Sequence, residues 1–92
     1  MNKTQLIENI AERVDTTKTN AEHCLNAFIA ITTEEVATGG EVKLVGFGNF
    51  VGVDVKEREG RNPQTGEPMT IPARRKPKFE PGAVFRREVA EA

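Results

Sequence analysis

The chain has 92 residues, with 13 Lys and Arg against 14 Asp and Glu, one Cys, no Trp and no Tyr. A chain of this length makes one small domain, buries only about 60–65% of its unfolded surface and gains from oligomerisation. It has no run near the ~20 apolar residues of a membrane span. It also has no second cysteine for an internal disulfide, so a reducing, intracellular setting is expected.

The opening Met1-Asn2-Lys3-Thr4-Gln5 reads as the start of a polar-punctuated helix and not as a signal peptide. Asn2 is placed to cap it, with Gln5 three residues on in a capping-box position. Leu6, Ile7, Ile10, Ala11 and Val14 then fall on one helical face. Asp15-Thr16-Thr17 breaks the pattern, and Thr17 can cap a second helix. That helix carries Ala21, Cys24, Leu25, Phe28, Ile31, Thr32 and Val36 at helical spacing and stops at Thr38-Gly39-Gly40. A short polar link between two helices predicts an antiparallel helical hairpin.

Strand signals follow. Glu41 to Val45 alternates, Gly46-Phe47-Gly48-Asn49 reads as a turn holding a buried-type aromatic, and Phe50 to Val55 resumes as a strand. Val51, Val53 and Val55 share one face; Gly52, Asp54, Lys56 and Arg58 share the other.

From Lys56 to Lys78 the chain is charged and proline-rich, holding four of the five prolines and seven of the thirteen Lys and Arg. It has too little apolar content for a core, yet strand-like sequence brackets it. A hairpin arm that leaves the body is predicted, turning at Asn62-Pro63-Gln64-Thr65-Gly66. Pro68 and Pro72 make its return limb an edge. At about ten residues per limb, its reach is roughly 30 Å. In a hairpin that pairs even-numbered with even-numbered residues, Arg74, Lys76 and Lys78 would share one side with Lys56 and Arg58. Phe79 is expected to close the strand. Glu80-Pro81 is expected to open a terminal helix with Phe85 and Val89 on one face.

Charge separates along the chain. Residues 1–55 carry Lys3, Arg13, Lys18 and Lys43 against eight acids, a net −4. Residues 56–79 carry seven bases against Glu57, Glu59 and Glu67, a net +4. A nearly neutral total therefore hides a cationic segment on an acidic body, and such clustering is the electrostatic footprint of nucleic-acid binding.

Catalysis is poorly supported. The chain has no serine, and its one histidine, His23, lies mid-helix beside the apolar stripe. Cys24 reads as a core thiol, and Glu34-Glu35 as a solvated helix face. No Cys/His cluster has zinc spacing. Gly46-Phe47-Gly48 lacks the lysine and glycine spacing of a phosphate loop. No cofactor, metal or small-molecule substrate is expected. The arm has better chemistry for a polyanion. Lys and Arg neutralise phosphates and release counterions, and Arg suits the negative potential of a narrow minor groove. Pro63 is a turn former first. Its compact apolar ring, without an N–H, also has the shape of a wedge that can enter a base step.

The run Gly60-Arg61-Asn62-Pro63-Gln64-Thr65-Gly66 resembles the signature of the bacterial histone-like DNA-binding proteins, HU and its relative integration host factor. Met1 to Ile7, Val42 to Phe50, Ile71 to Arg75 and Lys78 to Gly82 resemble the same family, so the likeness spans essentially the whole chain. The start is closer to HU; Ala73-Arg74-Arg75 also occurs in host-factor-like sequences.

The resemblance implies an α+β fold over 1–92 as one domain. The helical hairpin would occupy 1–40, a three-stranded antiparallel sheet 41–55 and 73–79, a protruding β-ribbon arm 56–72, and a short C-terminal helix 80–92. It implies an intertwined homodimer, or a heterodimer with a paralogue, with Leu44, Phe47, Phe50 and Phe79 in a shared core. Minor-groove bending by wedge insertion is the known habit of HU and integration host factor. By resemblance, Pro63 would be the wedge, and Arg58, Arg61, Asn62, Gln64 and Thr65 would line the groove. Lys56, Arg74, Arg75, Lys76 and Lys78 would hold the backbone, and Lys3 would reach flanking DNA.

The implied role is non-specific or weakly specific bending of double-stranded DNA in the bacterial nucleoid, in the cytoplasm. A site-specific host-factor-like bender and a protein-interaction module are the alternatives. Three departures weigh against tight coating of long DNA: the acidic body, Gly82-Ala83-Val84 where relatives commonly carry a lysine, and Glu67 where a base is frequent.

Overall fold

The computed structural model describes residues 1–92. The elements in chain order are α1 (Lys3–Val14), α2 (Lys18–Ala37), β1 (Val42–Leu44), β2 (Gly48–Val55), β3 (Arg58–Arg61), β4 (Pro68–Ile71), β5 (Arg74–Pro81) and α3 (Ala83–Glu91). They fall into two compact units, Met1–Glu34 and Glu35–Ala92.

The first unit starts with the predicted capping box. The Asn2 side chain accepts from the Gln5 N–H, and the Gln5 side chain accepts from the Asn2 N–H, both at 2.9 Å. Two of the N–H groups left without partners at a helix start are thereby satisfied. Asp15 ends α1 in the left-handed region at φ 57°, a conformation that a short polar side chain tolerates better than most. Thr17 then caps α2, its hydroxyl accepting from the Asn20 N–H at 3.1 Å. Ala11 and Ala21 are buried. Cys24, expected as a core thiol, is exposed. The apolar stripe that holds it is covered only at its ends: Ala21 and Val36 are buried, while Ile31 is 62% exposed.

The second unit opens with the end of α2. Gly39 takes φ 99°, the Gly40 N–H donates to the Glu35 carbonyl at 2.9 Å, and the Gly39 N–H reaches the Val36 carbonyl at 3.4 Å. This pair of bonds is a Schellman cap. A three-stranded antiparallel sheet follows, ordered β1-β2-β5. β1 and β2 join through a tight turn in which the Phe47 N–H donates to the Leu44 carbonyl at 3.0 Å. Gly46 supplies the positive φ of 85° that this turn requires.

Phe50 lies opposite Phe79 in the ladder, and their rings are 4.9 Å apart. Phe47 joins them from the turn, 5.1 Å from Phe79, and Phe85 of α3 stands edge-on to Phe47 at 4.9 Å. Each such ring pair adds about 0.5–1.5 kcal/mol beyond the area it buries. Gly48 lies beneath the cluster: a Cβ there would sit 2.6 Å from both the Phe79 ring and the Glu80 carbonyl.

The predicted start of the last helix is corrected by one strand end. β5 does not stop at Phe79, because Glu80 and Pro81 still pair with Asn49 and Gly48. The Gly82 N–H is then taken by the Phe47 carbonyl at 2.8 Å. Gly82, not Glu80, caps the helix, and Pro81 is a strand residue.

Candidate nucleic-acid interface

The arm is a two-stranded ribbon, β3 against β4, that continues the β2–β5 hairpin. Its tip is held by its own polar groups. The Asn62 N–H donates to the Glu67 carbonyl at 2.9 Å, and the Gly66 N–H to the Asn62 carbonyl at 2.7 Å. The Asn62 side-chain oxygen accepts from the Gln64 N–H at 2.9 Å, and the Thr65 hydroxyl from the Glu67 N–H at 3.3 Å. Gly66 supplies φ 71°. Asn62 and Thr65, expected as groove-lining residues, are thus also the residues that shape the loop. Pro63 and Gln64 are exposed at its end.

The register decides which bases stand together. Every pair in both halves of the hairpin joins an odd-numbered residue to an even-numbered one: Val51 to Lys78, Val53 to Lys76, Val55 to Arg74, Arg58 to Ile71. Directly paired residues point to the same side of a ribbon. The even-with-even pairing that would gather five bases on one side is therefore corrected. Arg74, Lys76 and Lys78 line one face at two-residue spacing, alongside Val51, Val53 and Val55. Arg58 is on the other side of its ladder, with Ile71 and Met69, and Lys56 lies between the two ladders. In β3, Glu59 and Arg61 belong to the valine side. The two faces of the arm differ in charge as a result.

Arg75, expected beside Arg74 and Lys76 as a phosphate ligand, is not brought together with them. It lies on the Phe50 face, half-buried, with its Nε donating to the Val36 carbonyl at 2.7 Å and its Nη1 to Asp54 at 3.0 Å. The remaining ion pairs of the structure are Lys18–Glu8 and Lys43–Glu41. Lys56, Arg58, Arg61, Arg74, Lys76 and Lys78 are thus exposed and outside any ion pair. Lys3 belongs to the first unit, as the first residue of α1, and is exposed.

Leu44, Phe47, Phe50 and Phe79 are all in the second unit. The three rings pack together, while Leu44 and Phe50 remain only half-buried and Phe47 is 39% exposed. Phe85 belongs to the same cluster and is absent from the expected set. Spacing puts it on one helical face with Val89, but nothing local in the sequence says what that face meets.

Comparison with known proteins fits this geometry. The model of a family described as bacterial DNA-binding protein matches residues 1–90. The DNA-binding protein HU of Nostoc sp. is 47% identical over 90 residues, which is 98% of this chain and 96% of the relative. This chain belongs to the HU family. HU-beta 2 of Neisseria meningitidis is 46% identical over 86 residues, 94% of each chain. Among solved structures, an Anabaena HU–DNA cocrystal structure matches with a TM-score of 0.91 at 46% identity, covering 100% of both chains. HU from Thermotoga maritima matches with a TM-score of 0.68 at 27% identity, covering 97% of this chain and 98% of that one. The α+β architecture with an extended arm is thus the HU fold. HU proteins are DNA-binding architectural proteins and in general not enzymes. No helix of the chain is long and apolar enough to cross a membrane.

Proposed function

We propose that this HU-family chain binds double-stranded DNA with its arms in the minor groove and bends it, without sequence-specific readout and without catalysis. The observation that carries the reading is the row Arg74, Lys76 and Lys78. Three unpaired cations follow one edge strand at about 6.6 Å intervals, on the face fixed by their pairing with Val55, Val53 and Val51. The row leads outward to an arm whose tip presents Pro63. Cations so placed neutralise successive phosphates and gain affinity by releasing counterions. Lys56, Arg58, Arg61 and Gln64 continue the contact toward the tip, and Lys3 adds one from the body.

Wedge insertion is already known for HU and integration host factor; the proposal is that Pro63 supplies the wedge in this chain. The loop bonds of Asn62, Thr65 and Gly66 support it. They hold Pro63 on a shaped turn, so less order must be imposed when the ring enters a base step.

The working form is proposed to be a homodimer in the bacterial nucleoid. The buried apolar residues of the single chain are Ala11, Ala21 and Val36, and no large side chain is fully buried. Half-covered Leu44, Phe47, Phe50 and Phe79 gain the rest of their burial from a second copy.

Titration of intact and nicked duplexes at two salt concentrations tests the reading. Affinity should fall steeply with salt, and the nicked duplex, already easy to bend, should bind more tightly. Salt-insensitive binding, or none at low salt, would overturn it. Sedimentation of the free protein should give twice the chain mass.

A further inference from the structure

The basic run Arg74-Arg75-Lys76 is divided by the strand it lies on. Successive strand residues point to opposite sides, so Arg74 and Lys76 share the valine face while Arg75 turns to the side of Asp54, its pairing partner. There the Arg75 side chain is 25% exposed against 82% for that of Asp54. It is held by two bonds, one to the Val36 carbonyl and one to the Asp54 carboxylate. Val36 lies in the last turn of α2, and its carbonyl has no i+4 partner there, only the long 3.4 Å bond from the Gly39 N–H. That turn contains no basic residue of its own. Arg75 therefore brings a cation to the negative end of a helix from another element.

Gly52 makes the reach possible: a Cβ there would fall within the Arg75 guanidinium. The clamp also has a particular place in the hairpin. Arg75 pairs with Asp54 one step inside Val55 and Arg74, the last pair of the core ladder before the arm begins.

We propose that Arg75 is a positioning residue and not a phosphate ligand, tying the root of the arm to the C-terminal turn of α2 through the Val36 carbonyl, with Asp54 orienting the guanidinium and Gly52 leaving it room. The proposal rests on the DNA-binding reading and divides its basic run by role. Arg74 and Lys76 meet phosphate; Arg75 sets the direction in which the arm leaves the sheet. Lysine does not substitute, because one ammonium lacks the rigid Nε and Nη pair that spans both acceptors.

The test uses the full-length protein and compares wild type, Arg75→Gln, Arg75→Lys, Gly52→Ala and Lys76→Gln. The slope of log affinity against log salt reports how many phosphates are neutralised, and end-to-end energy transfer on a labelled duplex reads bending. Lys76→Gln should reduce the slope by roughly 0.9 for each phosphate no longer neutralised and leave the free arm unaltered. Arg75→Gln, Arg75→Lys and Gly52→Ala should leave the slope unchanged while lowering energy transfer. In the free protein they should also speed amide exchange at Val55 and Arg74.

Gly52→Ala keeps every charge and Arg75→Lys keeps the local one, so either variant serves if Arg75→Gln fails to fold. A slope that falls in Arg75→Gln and is restored in Arg75→Lys would make Arg75 a phosphate ligand and overturn the proposal. Unchanged exchange and unchanged transfer in all three variants would overturn it too. A wild type without salt-dependent binding would refute the DNA reading instead, while exchange at the arm root would still decide the clamp.

Discussion

The inner half of the long hairpin, β2 against β5, and its outer half, β3 against β4, share one antiparallel register and differ in what covers them. In the inner half the Phe50 face carries a cluster of four aromatic rings, and Gly48 is buried beneath them. In the outer half the corresponding face has Met69, 45% exposed, and Ile71 leaning over Gly60, 3.1 Å from where a Cβ would stand. Backbone bonds are equally available to both. A two-stranded ribbon without a packed face is marginal in water, so the inner half is structure in its own right, while the arm is held by its own ladder and tip bonds alone. The same difference explains the sequence: the aromatic residues gather at the inner half, while Pro, Gly and charge fill the arm.

Substitutions matched across the two halves can break this comparison, taken from the largest expected effect on stability to the smallest. Phe79→Ala removes the central ring of the cluster and should cost about 3 kcal/mol in denaturant unfolding. Met69→Ala in the arm should stay within about 0.5 kcal/mol. Equal losses would mean that the arm is as much part of the core as the sheet. Gly48→Ala and Gly60→Ala are the same change on the same side of one hairpin. The first meets backbone and an aromatic ring and should cost about 2 kcal/mol. The second meets the end of a flexible side chain and should leave the midpoint within about 0.5 kcal/mol.

Asn62→Ala removes the acceptor of the Gln64 N–H and should cost roughly 1 kcal/mol of local order. Faster exchange confined to the tip, with an unchanged global midpoint, is the expected result; exchange that spreads into β2 and β5 would tie tip and sheet into one cooperative unit. Pro63→Ala touches no packed group and should shift the midpoint least, within about 0.5 kcal/mol. Energy transfer on bound duplex should fall. Full bending by this variant would remove the wedge and leave the electrostatic interaction.

Much of the fold is legible in the chain itself. The Asn2–Gln5 box, the Thr17 cap and the Gly39-Gly40 stop bound both long helices, because caps are made by residues within a few positions of each other. The charged, proline-rich arm stands out for the same reason, and the valine and glycine–aspartate faces of β2 follow from alternation alone. Harder to read are contacts between residues far apart in sequence. The partnership of Phe85 with Phe47 depends on where α3 meets the turn. The extension of β5 to Pro81 depends on Gly48 being available opposite it. Cys24 shares the spacing of the apolar stripe and is exposed, since spacing defines a face and not what covers it.

The sequence by itself determined the element types, most of their ends and the place of the arm, because propensity, capping and turn chemistry act over one or two turns of chain. Only the tertiary structure decided the phase of the hairpin. Both phases satisfy alternation equally, and choosing between them depends on which residue faces Phe50 across a loop of nearly thirty residues. That choice separated Arg58 from Arg74, Lys76 and Lys78. It also turned Arg75 away from its basic neighbours, toward the end of α2.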